Sequence, residues 1–174
     1  MWAQTSKNGK NEQRAKNNHG SFYDVQIVHL ALFLGEIELA RRTLDDAKRV
    51  RIATQIQPDG TQPLELARAD SFGYSRFNLQ ALFALATLGE RLGIDLWHFE
   101  TPEGASIRKA FDFLFGYAEN PKKEWPYGTS KKTNSSLTPL LRQAYAVYGD
   151  GRYLRALEKS AASEDSRNVL FFSR

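Results

Sequence analysis

The chain has 174 residues, 24 Lys and Arg against 20 Asp and Glu, a formal charge of +4, and no cysteine. That length suits one domain, so residues 1–174 are read as a single unit, and the modest positive charge favours an anionic partner such as a nucleic acid or an acidic glycan. Without cysteine there are no disulfides, thiolate metal ligands or cysteine nucleophiles, and no run of about 20 apolar residues is available to cross a bilayer.

The opening stretch MWAQTSKNGKNEQRAK is polar, lacks the apolar core of a secretory signal, and is assigned no element. From Ser21 to about Leu34, Val25, Val28 and Leu32 recur at helical spacing, and Gly35 closes that helix. A second helix is predicted from Glu36 to about Ile56, with Leu39, Ala40, Leu44, Ala47, Val50 and Ala53 on one side, ending at the PDG of residues 58–60. These two read as an antiparallel hairpin. A third helix, from Tyr74 or Ser75 to Arg91, is rich in apolar residues and ends at Gly93, so much of its surface should be buried.

Thr101, Pro102 and Glu103 carry the strongest helix-start signal in the chain: a cap, a proline at the first helical position, and an acid against the positive helix end. Ile107, Phe111, Leu114 and Phe115 would form that helix's apolar stripe. Asn120 to Thr138 reads as loop, and shorter helices follow over Leu137 to Tyr148 and Arg152 to Ala162. No strand is predicted. The result is an all-α array of helical hairpins, a toroid or a solenoid, and the lack of a repeat at fixed period argues against the solenoid.

The motifs of dinucleotide binding, P-loops, zincins and serine hydrolases are missing. His19, His29 and His98 lie far apart, so a metal site would need a tertiary coincidence, and neither a metal nor another cofactor is expected. What remains is a polar set at element boundaries: Asn17, Asn18 and His19, with Tyr23 just inside the first helix; Glu65 and Arg68 in the following loop; and Tyr74, Arg76 and Asn78 at the start of the third helix. If the first and third helices run parallel, both clusters lie at one end of the domain. An amide, an imidazole, a guanidinium and a phenol, with no nucleophile, suit proton abstraction beside a carboxylate. A carbon acid next to a charged carboxylate is very weak, so a site must neutralise that carboxylate and hold the charge that develops.

A plainer reading stands beside this one. Asn17 or Asn18 caps a helix, His19 is a satisfied boundary histidine, Tyr74 a half-buried core tyrosine, and Arg68 a surface ion-pair partner. His29 is read as core, from its place near Val25 and Leu32. Trp125 and Tyr127, in KKEWPYG, either stack on a sugar or pin a loop.

At these residues the chain resembles the alginate lyase family, polysaccharide lyases built on an incomplete α/α toroid. The resemblance rests on KNNHGSFYDVQ, the helical pair after it, QIQPDGTQPLELAR, and YSRFNLQAL followed by LGIDLW, and covers roughly residues 5–100. The six-residue spacing from Arg68 to Tyr74 is most similar to lyases acting on alginate or glucuronan. The resemblance implies that Asn18 hydrogen-bonds the uronate carboxylate and that His19 helps neutralise it or acts as base for one epimer. It further implies that Arg68 holds the carboxylate or lowers the proton affinity of Tyr74, and that Tyr74 takes the C5 proton, donates to the leaving oxygen, or both. Asn17, Tyr23, Glu65, Arg76, Asn78, Trp125 and Tyr127 are candidate substrate contacts.

The expected function is therefore metal-independent β-elimination on a polyuronate, with an acidic polysaccharide as partner rather than a nucleic acid or a membrane. The rival is a non-catalytic helical carbohydrate-binding or scaffold module. Family members are usually longer, with helices before the Asn-His pair, so the chain is expected to be the C-terminal part of a longer toroid, with an open edge of apolar helix surface, and the full protein to be periplasmic or secreted.

Overall fold

A computed structural model of the chain describes residues 2–120, 122–128 and 134–171. The elements in chain order are α1 (Trp2–Thr5), α2 (Lys7–Arg14), α3 (Asn18–Phe33), α4 (Ile37–Ala47), a π-helical turn (Lys48–Ile52), α5 (Ala53–Gln55), α6 (Pro63–Leu66), α7 (Ser71–Arg91), α8 (Ile107–Ala118), α9 (Asn134–Tyr148) and α10 (Gly151–Phe171). Among the described residues the only extended pairing is an isolated bridge between Glu100 and Ser106, so the expected all-α class holds. No helix among them is long and apolar enough to cross a membrane.

The chain forms two compact units: Met1–Leu114 with Trp125–Ser130, and Phe115–Glu124 with Lys131–Arg174. In the first, α3 packs on α4 and α7. Ile27, Val28 and Ala31 of α3, Ala40, Leu44 and Ala47 of α4, and Leu79, Leu82, Phe83, Leu85 and Ala86 of α7 are all buried, a core built by the helical spacing of these residues. Phe83 anchors an aromatic cluster, with its ring edge-on to Trp97 at 4.8 Å and tilted against Phe111 at 5.7 Å. Burial of each such side chain contributes about 1.5–3 kcal/mol. Leu30, Phe33, Leu34 and Ile37, around the turn from α3 to α4, are exposed.

The helical run after α4 does not stop at Ala47 but widens into the π-helical turn, which inserts an extra residue. Arg51 lies inside it and is 3% exposed. Its guanidinium donates to both Asp24 oxygens, at 2.7 and 3.0 Å, and to the carbonyls of Ala15 at 2.8 Å and Gln13 at 2.9 Å, tying α2, α3 and the π turn together. Burial pushes the Asp24 carboxyl above its ordinary range, and the hydrogen bonds and charge of Arg51 offset that only in part. The PDG turn that follows is closed by Asp59, which accepts from Thr61 N at 2.9 Å and Thr61 Oγ1 at 2.7 Å. Gly60 takes a left-handed φ of 84°, and a side chain there would meet the Lys109 carbonyl of α8.

In the second unit α9 and α10 form a hairpin. Leu137, Leu140, Leu141 and Ala144 are buried with Tyr153 and Ala156, and Phe115 stands edge-on to Tyr153 at 5.2 Å.

Several boundaries differ from the sequence reading. Helix α8 begins at Ile107, not at Pro102. The Thr101 hydroxyl accepts from Ala105 N at 3.1 Å and Gly104 turns left-handed with φ 94°, which makes a closed turn of the TPEG stretch instead of a first helical turn. The polar N-terminal stretch holds α1 and α2, with Ser6 capping α2 by accepting from Gly9 N at 3.0 Å. Helix α9 starts at Asn134, inside the predicted loop, while residues 129–133 of that loop lie outside the described residues. His29 is exposed, not core: its ring pairs with the Val25 carbonyl at 2.8 Å, on the outer side of α3.

Candidate functional site

The starts of α3 and α7 are fastened to one stretch of chain. Asn17 caps α3, its side chain accepting from His19 N at 3.3 Å. Its carbonyl accepts from Gly20 N and from the Gln55 side chain, at 3.0 and 3.3 Å. Gln55 Oε1 accepts from Ser21 Oγ at 2.9 Å and from Asn78 Nδ2 at 2.8 Å. Gln62 completes the network, accepting from Asn78 at 2.8 Å and donating to the Ser75 carbonyl at 3.1 Å. Beside it the Phe22 and Phe77 rings pack at 4.3 Å. The two polar clusters singled out in the sequence therefore meet at one end of the first unit.

Within that end, Arg68 and Tyr74 come together directly: the guanidinium carbon lies 4.0 Å from the centre of the Tyr74 ring. Tyr74 borders an open recess of about 320 Å³ with Asp70, Gly73, Arg76 and Phe77. Asp70 caps α7, accepting from Gly73 N at 3.1 Å. His19 is exposed in the first turn of α3, with its Nδ1 2.8 Å from the Glu12 carboxylate of α2. Trp125 and Tyr127 sit against the first turn of α7. The Trp125 indole donates to Ser71 Oγ at 2.8 Å, Ser71 Oγ donates to the Tyr127 carbonyl, and the Trp125 ring is edge-on to Phe72 at 5.1 Å. The pair pins its loop to the helix one turn before Tyr74, and both rings stay half-buried.

Three candidate substrate contacts are corrected by burial. Asn78 is fully buried, and its amide nitrogen is spent on Gln55 and Gln62. Glu65 is 1% exposed, with both carboxylate oxygens on Asn18. Tyr23 is buried and donates to the Ala3 carbonyl at 3.3 Å, away from Tyr74. It borders a different recess, of about 370 Å³, with Asp24 and Arg51. Burial first, and the neighbouring Asp24 charge second, push the Tyr23 phenol up, so it stays a donor. Asn17 is committed to its cap.

Asn18 is buried too, but stands at the threshold of the cluster beside exposed His19. Sequence reasoning missed Phe77, which is 41% exposed beside Tyr74, and Glu12, the partner of His19. Phe77 lies on the YSRFN stretch already singled out, whereas Glu12 lies on a helix that carries no apolar stripe to reveal it. Among the described residues no three His, Asp or Glu side chains converge as metal ligands would.

This is an all-α domain of helical hairpins that gathers an amide, an imidazole and an Arg–Tyr pair at one end, a class to which the polyuronate-cleaving lyases belong. The alginate lyase family pattern matches residues 1–125, and the chain belongs to that family. The fold is similar to that of an alginate lyase from Bacteroides ovatus, with 38% identity and a TM-score of 0.84, over 91% of this chain and 42% of that one. It is similar in fold also to alginate lyase A1-III, in a tyrosine-to-phenylalanine variant complexed with a tetrasaccharide, at 22% identity and a TM-score of 0.62, over 76% of this chain and 40% of that one. The chain thus spans about two fifths of the length of either relative and corresponds to part of the family's fold. Among curated protein sequences nothing matches.

Proposed function

We propose that this chain carries the proton-transfer half of a polysaccharide lyase that cleaves a polyuronate, alginate or glucuronan, by β-elimination. The observation that carries the reading is the Arg68 guanidinium lying 4.0 Å over the Tyr74 ring at the rim of an open recess, in a chain of the alginate lyase family. Elimination removes the C5 proton of a uronate and breaks the bond from C4 to the glycosidic oxygen, leaving a C4–C5 double bond. Tyr74 takes the proton or delivers one to the departing oxygen, and the Arg68 charge stabilises negative charge that develops on the phenolic oxygen. Asn18 and His19, from the facing helix start, hold the uronate carboxylate as C5 becomes carbanion-like. Arg76 lines the same recess and offers a further cation to a polyanion, while the exposed ring of Phe77 offers a flat surface to the apolar face of a sugar. A periplasmic or secreted location would bring the full protein to such a polymer.

Incubation with alginate, polymannuronate, polyguluronate and glucuronan tests the reading through the ultraviolet absorbance of the conjugated unsaturated uronate. Growth of that absorbance on one of them is expected, and its loss in Tyr74→Phe. Polymer binding with no new absorbance on any of the four overturns it in favour of a binding module.

A further inference from the structure

Resting on that reading, we infer that Glu65 is a positioning residue that sets the Asn18 side chain for the uronate. Glu65 stands 47 positions from Asn18, in the four-residue helix α6, and its carboxylate is almost wholly removed from solvent. A buried carboxylate is costly unless hydrogen-bonded, and Asn18 supplies the bonds. The Asn18 backbone N–H donates to Oε1 at 2.6 Å, and Asn18 Nδ2 lies 3.0 Å from Oε1 and 2.8 Å from Oε2. Asn18 is the first residue of α3, so the carboxylate also faces the positive end of that helix.

The chemistry of the two groups fixes the geometry. An ionised carboxylate only accepts, whereas a carboxamide has one donating and one accepting end. Facing Glu65, the Asn18 amide must turn its nitrogen inward, which locks the carboxamide plane and leaves Oδ1, with at most one N–H, for a ligand. Glu65 thereby decides which atom of Asn18 meets the sugar. A glutamine at position 65 keeps the size but can face Asn18 with either end, so Glu65→Gln releases the lock and lets the amide flip. A helix cap alone would need only the backbone N–H, so the side-chain contact is the part that bears on the ligand.

The test compares the parent with Glu65→Gln, Asn18→Ala and the double variant, with turnover on the preferred polymer expressed per folded molecule. Glu65→Gln is expected to lower kcat roughly tenfold to a hundredfold with little change in KM, as misplacement of a reacting group does. It should cost nothing further in the Asn18→Ala background, because residues acting as one unit are non-additive. Unchanged kcat in folded Glu65→Gln, or losses that multiply in the double variant, overturns the assignment. A second readout is independent of turnover: NMR of the Asn18 side-chain amide during titration with a mannuronate trisaccharide. The amide resonances should move with the sugar in the parent and not in Glu65→Gln. If the parent cleaves nothing but this response is present, the lyase reading fails and the positioning role stands; the same response in both proteins, or in neither, overturns the positioning role.

Discussion

Arg68 lies across the face of the Tyr74 ring, its guanidinium carbon 4.0 Å from the ring centre. A planar guanidinium stacks in this way whereas a lysine ammonium meets the ring as a point charge, so Arg68→Lys is not a conservative change here. The stack itself is worth about 0.5–1 kcal/mol at a partly exposed site, so Arg68→Lys should leave the melting temperature nearly unchanged. Turnover should fall about tenfold or more if that charge bears on the transition state. Steady-state kinetics beside a thermal melt would separate the two effects, and full turnover in the lysine variant would remove Arg68 from the mechanism.

Tyr74→Phe keeps the ring, and with it the contact to Arg68, while deleting only the hydroxyl. Loss of a general acid–base group costs about 10²–10⁴-fold. Absorbance assays should register that loss while affinity for the uncleaved polymer stays within a few-fold of the parent. An active parent whose phenylalanine variant cleaves normally would rule the phenol out.

His19 is exposed and held only by its contact with Glu12. Replacing it with alanine should therefore spare the fold. Turnover should drop roughly a hundredfold, the usual cost of one lost donor at a developing charge, and circular dichroism would verify that the helices are intact.

Arg51→Met removes the cation from a buried pair and frees the Ala15 and Gln13 carbonyls of their donor. Stranding a buried charge costs about 3–5 kcal/mol, measurable by urea unfolding at neutral pH. Burial already raises the Asp24 carboxyl in the folded state, so the proton it binds stabilises the fold at acid pH, and that contribution is lost as pH rises through the raised value. Without Arg51 the carboxyl goes higher still. The deficit of the variant should accordingly shrink when unfolding is repeated at about pH 5, between the ordinary and the raised values.

Asp59 behaves in the opposite sense. Its bonds from Thr61 hold the carboxyl below the ordinary range, so the stability it lends the turn is present above the unfolded value and lost as pH falls through the lower folded one. In an acid titration followed by NMR, the Thr61 amide should shift below the pH at which a free aspartate titrates, and Asp59→Ala should abolish that step.

Helical spacing was enough to find the long helices, because Val28 of α3, Leu44 of α4 and Leu82 of α7 repeat at the period that buries them. It failed where side chains bond locally. Thr101 and Pro102 look like a helix start, yet the hydroxyl closes a turn onto Ala105 instead. The Asn-His pair and the Arg–Tyr pair were legible by residue type and order. Glu65 and Asn78 were chosen for polarity, and sequence could not reveal that both are buried in bonds to other polar side chains. Distant partners such as Gln55 and Asn78, 23 residues apart, leave no periodic trace.

The π-helical turn has a consequence for how this chain tolerates changes in length. A five-residue turn of that kind is an α-helix carrying one surplus residue. Excising Val50 would let the segment relax into regular α-helix without breaking it, but everything before the deletion would rotate by about 100° relative to everything after. Arg51 would then leave Asp24, or else Ala40 and Leu44 would leave the core. An insertion in the exposed turn at Gly35 alters only the link between α3 and α4, so two indels of equal size, fifteen residues apart, should differ sharply in whether the protein still folds.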